Sequence, residues 1–217
     1  MNIDQIVNQA EPELIAFRRH FHEYPELSQQ EFNTLDFIKQ KLESWGISCT
    51  QVPKGGIFGV LDSGKPGITV LMRADVDALP VEENKKNLST ARCCISQNKG
   101  VMHACGHDNH MAMLLGAAKI LCEVKDELEG NVKLLFQAAE ETCFGAEYYV
   151  QQGVLDGVDA IYGQHIWAGL EAPYLNVQPG VRMASCDNFT ITVEGSSTHG
   201  STPHLGTDAI VAAASII

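Results

Sequence analysis

A chain of 217 residues with 45% apolar and 19% charged side chains can bury one substantial core and part of a second, and it is too apolar for wholesale disorder. Fifteen Lys and Arg against 27 Asp and Glu give a net charge of -12 with no basic run, which argues against a nucleic-acid surface and against anionic membranes. No run of about 18 apolar residues could span a membrane. The N-terminus lacks a basic segment followed by an apolar one, so no signal peptide is visible. The seven cysteines are irregularly spaced and suggest no disulfide framework, so a reducing, cytoplasmic setting is expected.

The first element is a helix reaching about Glu23, just before Pro25. Phe32, Leu35, Ile38, Leu42 and Trp45 follow helical spacing, and Gly46 stands where a helix-terminating glycine belongs. A glycine-rich stretch follows, with Ile57 to Leu61 a short strand inside it. Ile68 to Met72 is a continuous apolar run, as in a strand buried on both faces, and it ends in Arg73-Ala74-Asp75-Val76-Asp77. Val132 to Phe136 leads likewise into Gln137-Ala138-Ala139-Glu140-Glu141, and Ala160 to Tyr162 into Gly163-Gln164-His165. Helices separate these strands. One is marked by Met111, Leu114, Leu115, Ala118 and Leu121, with Asp108 as a candidate N-cap, and another runs from Ala146 to Gln152 before Gly153. Alternating strands and helices predict an α/β domain with a mostly parallel sheet over residues 1–184. From 185 to 217 the texture changes. Phe189, Ile191 and Val193 alternate with polar residues as in a half-solvated strand, and a helix starts at Thr207-Asp208-Ala209, so a second domain of antiparallel type begins here.

Four polar groups lie at or between strand ends: Asp75/Asp77, Cys105/His107, Glu140/Glu141 and His165. Open α/β sheets place ligand sites at the C-terminal ends of their strands. Thiolate, imidazole and carboxylate together suit zinc or a similar divalent ion. Each feature alone also has an ordinary reading. Cys105 with His107 could be a buried thiol beside a solvated histidine, Glu140-Glu141 a solvated turn, and Asp75 with Asp77 an Asp-rich turn. Taken as a site, one glutamate would bind metal and its neighbour would take a proton from the attacking water, while an aspartate would orient a ligand imidazole. His199 and His204 lie in the Gly195 to Gly206 loop, and His20, His22, His103 and His110 are assigned no ligand role.

The segments RRHFHEYPELSQQEF, LMRADVDALPVEE, GVMHACGHDNHMAMLLGAAKIL, LLFQAAEET and THGSTPHLGTDAIVAAASII closely resemble the aminoacylase-type metallopeptidase family. The nearest branch holds N-acyl-amino-acid amidohydrolases, hippurate hydrolases and indole-acetyl-amino-acid hydrolases. The resemblance implies a catalytic domain of zinc-peptidase type with the start of an inserted, ferredoxin-like α+β lid and dimerisation domain. It implies two divalent ions, zinc or manganese with cobalt or nickel as substitutes, held by Cys105, His107, Glu141 and His165. Glu140 would be the general base, Asp77 the carboxylate behind a ligand histidine, and His199 the lid histidine that polarises the scissile carbonyl. Asp75 stands where sister branches carry a ligand histidine. The substrate would be a small N-acyl amino acid or peptide, and the full-length parent a homodimer.

Family members are longer, and one further ligand histidine has no counterpart here. A second reading is therefore a truncated, catalytically inactive remnant that folds partly and binds metal weakly. A third, a thiol hydrolase using Cys105 and His107, suffers from a Cys-X-His spacing poorly suited to a thiol and its base. Leu88 to Gln97 departs from the family pattern, and Cys93-Cys94 there are expected to be surface thiols.

Overall fold

The computed structural model describes residues 3–86, 91–92, 94–185, 187 and 189–217, which divide into two compact units, Met1–Leu175 and Asn176–Ile217. The first unit is built on a five-stranded sheet. Its strands are β1 (Cys49–Gln51), β2 (Ile57–Asp62), β3 (Thr69–Asp75), β4 (Asn131–Gln137) and β5 (Ala160–Gly163), in the order β1-β2-β4-β3-β5. β3 pairs in parallel with both β4 and β5, while β2 runs antiparallel to β1 and β4. Only β2 therefore opposes the common direction, and the sheet is mostly parallel, as the alternation of strands and helices predicts.

The apolar strand runs split by their period of two. Leu134 and Phe136 of β4 join a core with Phe17 and Phe21 of α1 (Ile3–Glu23), Leu35, Ile38 and Leu42 of α2 (Phe32–Ser44), and Met111 and Leu115 of α3 (His107–Glu123). Leu71 of β3 and Leu135 of β4 face the other way, against Tyr149 of α4 (Gly145–Gln151), Val52 and Val154. Burying side chains of this size stabilises the fold by about 1.5–3 kcal/mol each. This two-faced burial is why β3 and β4 read as continuous apolar runs. β5 is the exception: all four of its residues are exposed at the sheet edge.

Three local expectations are corrected. α3 begins at His107 and its N-cap residue is Gly106 at φ 89°, so Asp108 lies in the first turn rather than at the cap. The position suits glycine, because a Cβ would sit in the strained left-handed region and collide with the Ile166 side chain. In the second unit, the alternation from Phe189 to Val193 forms no strand among the described residues; the backbone pairing there is an isolated bridge of Ser196 with Thr207. The helix start is as expected. Asp208 caps α5 (Ala209–Ile216), its carboxylate accepting from the N–H groups of Ile210 and Val211. Of the paired cysteines, Cys93 lies outside the described residues. Cys94 is buried rather than a surface thiol, and its sulfur donates to the Arg19 carbonyl at 3.4 Å. Among the described residues no helix is long and apolar enough to cross a membrane.

Candidate metal centre

Parallel pairing sets Asp75, at the end of β3, beside Gln137, at the end of β4. The two connections that follow, Val76–Ala78 and Ala138–Glu141, therefore leave the sheet side by side. The Val76 N–H bonds the Gln137 carbonyl at 2.9 Å, and the Glu141 N–H bonds Asp77 Oδ2 at 3.0 Å. β5 places His165 on the far side of β3, and the N-terminal end of α3 supplies His107 directly after the Cys105-Gly106 turn.

His107 is the hub. It is fully buried, and its Nδ1 lies 2.8 Å from the Asp77 carbonyl oxygen. A carbonyl can only accept, so Nδ1 carries the proton. Nε2 then faces Asp75 Oδ2 at 3.6 Å, Glu141 Oε1 at 3.8 Å and Glu140 Oε2 at 3.9 Å. Both His107 Nε2 and Glu141 Oε1 are buried without a hydrogen-bond partner. Cys105 Sγ stands 3.4 Å from His165 Nε2. Donor atoms fall within 4.8 Å of one another in three sets: Cys105, His107 and His165; His107, Glu140 and Glu141; Asp75, His107 and His110.

Orphaned atoms aimed at one another are costly in a dry site. A divalent ion between them would satisfy both, and sulfur, nitrogen and oxygen donors at this separation fit such an ion. The titration of these groups follows the same logic. Burial and the charges of Glu141, Glu140 and Asp75 push the Cys105 thiol up to about 12. A thiol so disfavoured as an anion is a poor lone nucleophile, which weighs against thiol hydrolysis. Burial alone would lower the His107 pKa, but the Asp77 carboxylate, whose Oδ1 lies 3.4 Å from Nδ1, and the charge of Asp75 outweigh it and raise it.

The remaining expected residues are placed as follows. Asp77 is buried and holds Ser28 Oγ at 2.7 Å as well as the Glu141 N–H. Asp75 is also buried, with Oδ1 2.6 Å from His110 Nδ1 and Oδ2 2.8 Å from Arg73. Burial opposes its charge, yet these partners hold its pKa well below the carboxylate range. His199 belongs to the second unit, where its exposed ring contacts Ser201 Oγ at 2.8 Å.

Sequence reasoning passed over two histidines that the fold uses. His110 receives the Ile166 N–H on Nε2 at 3.0 Å while Nδ1 engages Asp75, so it braces the β3 end and the His165 loop together. His107, His110, Met111 and Leu114 lie on the buried face of α3, and that helical spacing was the available signal. His22 is sandwiched between Asp108 at 2.7 Å and Glu83 at 3.0 Å, and the Asp108 hydrogen bond raises its pKa. This links α1 to the first turn of α3, next to His107. A cleft of about 740 Å³ opens beside Cys105 and His165, walled by Met102, His103, Ile166 and Trp167.

The fold and site together define an α/β protein in which strand ends and the start of α3 gather a sulfur, nitrogen and carboxylate donor set suited to divalent metal. More narrowly, the chain belongs to peptidase family M20/M25/M40, whose family model matches residues 71–216. It is 43% identical over 218 residues to an N-acyl-L-amino acid amidohydrolase of Geobacillus stearothermophilus, covering 99% of this chain and 57% of that protein. It is 44% identical over 208 residues to an N-acetyl-L-cysteine deacetylase of Bacillus subtilis, covering 95% and 49%. Among solved structures, a dinuclear metal binding peptidase of the M20 family from Bacillus subtilis aligns with TM-score 0.68 and 41% identity, over 75% of this chain and 45% of that one. A structure from methicillin-resistant Staphylococcus aureus aligns with TM-score 0.79 and 38% identity over 99% and 57%. The chain spans about half the length of the curated relatives it matches.

Proposed function

We propose that the protein of which this chain forms all or part is a metal-dependent amidohydrolase that cleaves the amide bond of N-acyl amino acids or small peptides, using a pair of divalent ions. The observation that carries the reading is the orphaned, deeply buried Nε2 of His107 facing an equally orphaned Glu141 Oε1 amid carboxylates. Cys105, His107, Glu141 and His165 would hold the metal. When bound, the ions supply Lewis acidity that polarises the amide carbonyl and eases deprotonation of water.

The chain's own residues do the rest. Glu140 is 39% exposed at its side chain, more open than Glu141 at 19%, and its carboxylate would take the proton of the attacking water and deliver it to the leaving nitrogen. Asp77, fully buried, fixes His107 with Nε2 outward and grips the Glu141 backbone. Residues 1–184 form the catalytic domain in this reading. Residues 185–217 open a lid and dimerisation domain, whose His199 would polarise the scissile carbonyl, and the whole protein would act as a cytoplasmic homodimer.

Glu140→Gln is the direct test. Loss of turnover on N-acetyl amino acids, by roughly 10²- to 10⁴-fold with metal content unchanged, supports the assignment. Retained turnover in that variant overturns it.

A further inference from the structure

The carboxylate loop after β4 is held in a conformation it would not adopt unaided. Ala139, immediately before Glu140, sits at φ 58°, a region that residues with a Cβ avoid unless their surroundings impose it. Three N–H groups of this loop are bonded by side chains from other elements, two of them distant in sequence: Ala138 by the Tyr149 hydroxyl at 3.0 Å, Ala139 by Glu31 Oε1 at 2.9 Å and Glu141 by Asp77 Oδ2 at 3.0 Å. Glu31 lies 108 positions upstream, at the start of α2, and is 1% exposed. Among the described residues it forms no salt bridge. A buried carboxylate without a cation is an expensive way to fill space, and burial pushes its pKa up.

We propose that Glu31 is a positioning residue for the reaction centre: by binding the Ala139 N–H it locks the left-handed turn from which Glu140 and Glu141 project toward His107. Ser28, three residues earlier, supports the same loop through Asp77. The inference rests on the roles given above to Glu140 and Glu141.

The test compares Glu31→Ala, Glu31→Gln and the double variant Glu31→Ala with Ala139→Gly. Zinc affinity is read by competition with a chromogenic chelator, alongside kcat and KM for an N-acetyl amino acid. Glu31→Ala should weaken zinc binding roughly 10- to 100-fold, as expected when the support of a ligand is removed, and lower kcat with KM little changed. Glu31→Gln keeps an acceptor oxygen and should stay near wild type. Ala139→Gly should restore much of the loss, because glycine adopts positive φ without a Cβ clash. Glu26→Ala is the control for a merely structural role, since it removes bonds to the Asn33 and Thr34 N–H groups of the same helix without touching the loop.

Equal zinc weakening in Glu26→Ala and Glu31→Ala, or no recovery with Ala139→Gly, overturns the proposal. Should Glu31→Ala not fold, Glu31→Met repeats the measurement with the buried volume kept. Ala139→Val probes the same turn with Glu31 intact and should also weaken zinc; unchanged affinity there counts against the proposal. Failure of the wider reading looks different: zinc affinity would then be indifferent to Cys105→Ser, and turnover to Glu140→Gln.

Discussion

β3 and β5 are neighbouring parallel strands whose C-terminal ends both feed the candidate metal centre, yet they do so in contrasting environments. At the end of β3 and just after it, Asp75 and Asp77 are almost completely buried and bonded to Arg73, His110, Ser28 and the Glu141 backbone. Beyond β5, His165 is exposed on an edge whose own four residues are exposed, and its ring is held chiefly by Cys105 and the Ile166 carbonyl. One side of the centre is therefore held by a buried hydrogen-bond network, and the other lies open to solvent. Preorganised donors contribute most to affinity, because little ordering remains to be done on binding.

Breaking that asymmetry should give graded effects. His107 belongs to all three donor sets, so His107→Ala should cost more zinc affinity than any other single change at the centre, read as the loss of stoichiometric zinc in a titration. Asp77→Ala leaves His107 in place but removes the carboxylate that steadies Glu141 and Ser28, so zinc affinity should fall roughly 10- to 100-fold. His165→Ala, on the open side, should weaken one position and spare the other, giving a biphasic titration. If His165→Ala costs as much as His107→Ala, the contrast between the two strand ends is wrong.

Two pH-dependent effects sharpen the picture further. With the Cys105 thiol pushed up to about 12, alkylation of Cys105 in the metal-free chain should be slow at neutral pH and should accelerate only in strong alkali, as followed by peptide mass mapping. Rapid modification near neutrality would contradict the carboxylate-rich surroundings assigned to it. The smallest effect concerns His22. Its folded pKa is raised above the ordinary 6.5, chiefly by the Asp108 hydrogen bond. Its contribution to stability is then complete below about 6.5 and is lost as pH rises through the raised value. The stability gap between wild type and His22→Gln in urea unfolding should be wider at about pH 6 than at about pH 8. A gap that grows with pH would reverse the sign of the argument.

Much of the framework of the first unit could be read from sequence, because strands buried on both faces announce themselves as apolar runs and their polar ends mark where donors can sit. Asp75, Glu140 and His165 were each legible in this way. The three-residue strand β1 was not, being too short for a pattern and exposed or half-buried throughout. The supporting residues were harder still. His22, Glu31 and Ser28 act on Asp108, Ala139 and Asp77, at separations of 86, 108 and 49 positions, and no local periodicity encodes such pairings. The alternation from Phe189 to Val193 misled for the opposite reason. A period of two specifies a face for burial, but a strand also needs a hydrogen-bonded neighbour, and Phe189 and Ile191 are exposed in this chain.

The central claim, that Cys105, His107, Glu141 and His165 share bound cations, is tested most directly by X-ray absorption at the zinc edge of the loaded chain and of Cys105→Ser. The wild type should show one sulfur neighbour at about 2.3 Å among nitrogen and oxygen ligands, averaged over about two ions per chain, and the variant should lack it. A wild-type spectrum without sulfur, or one identical to that of the variant, would contradict the account.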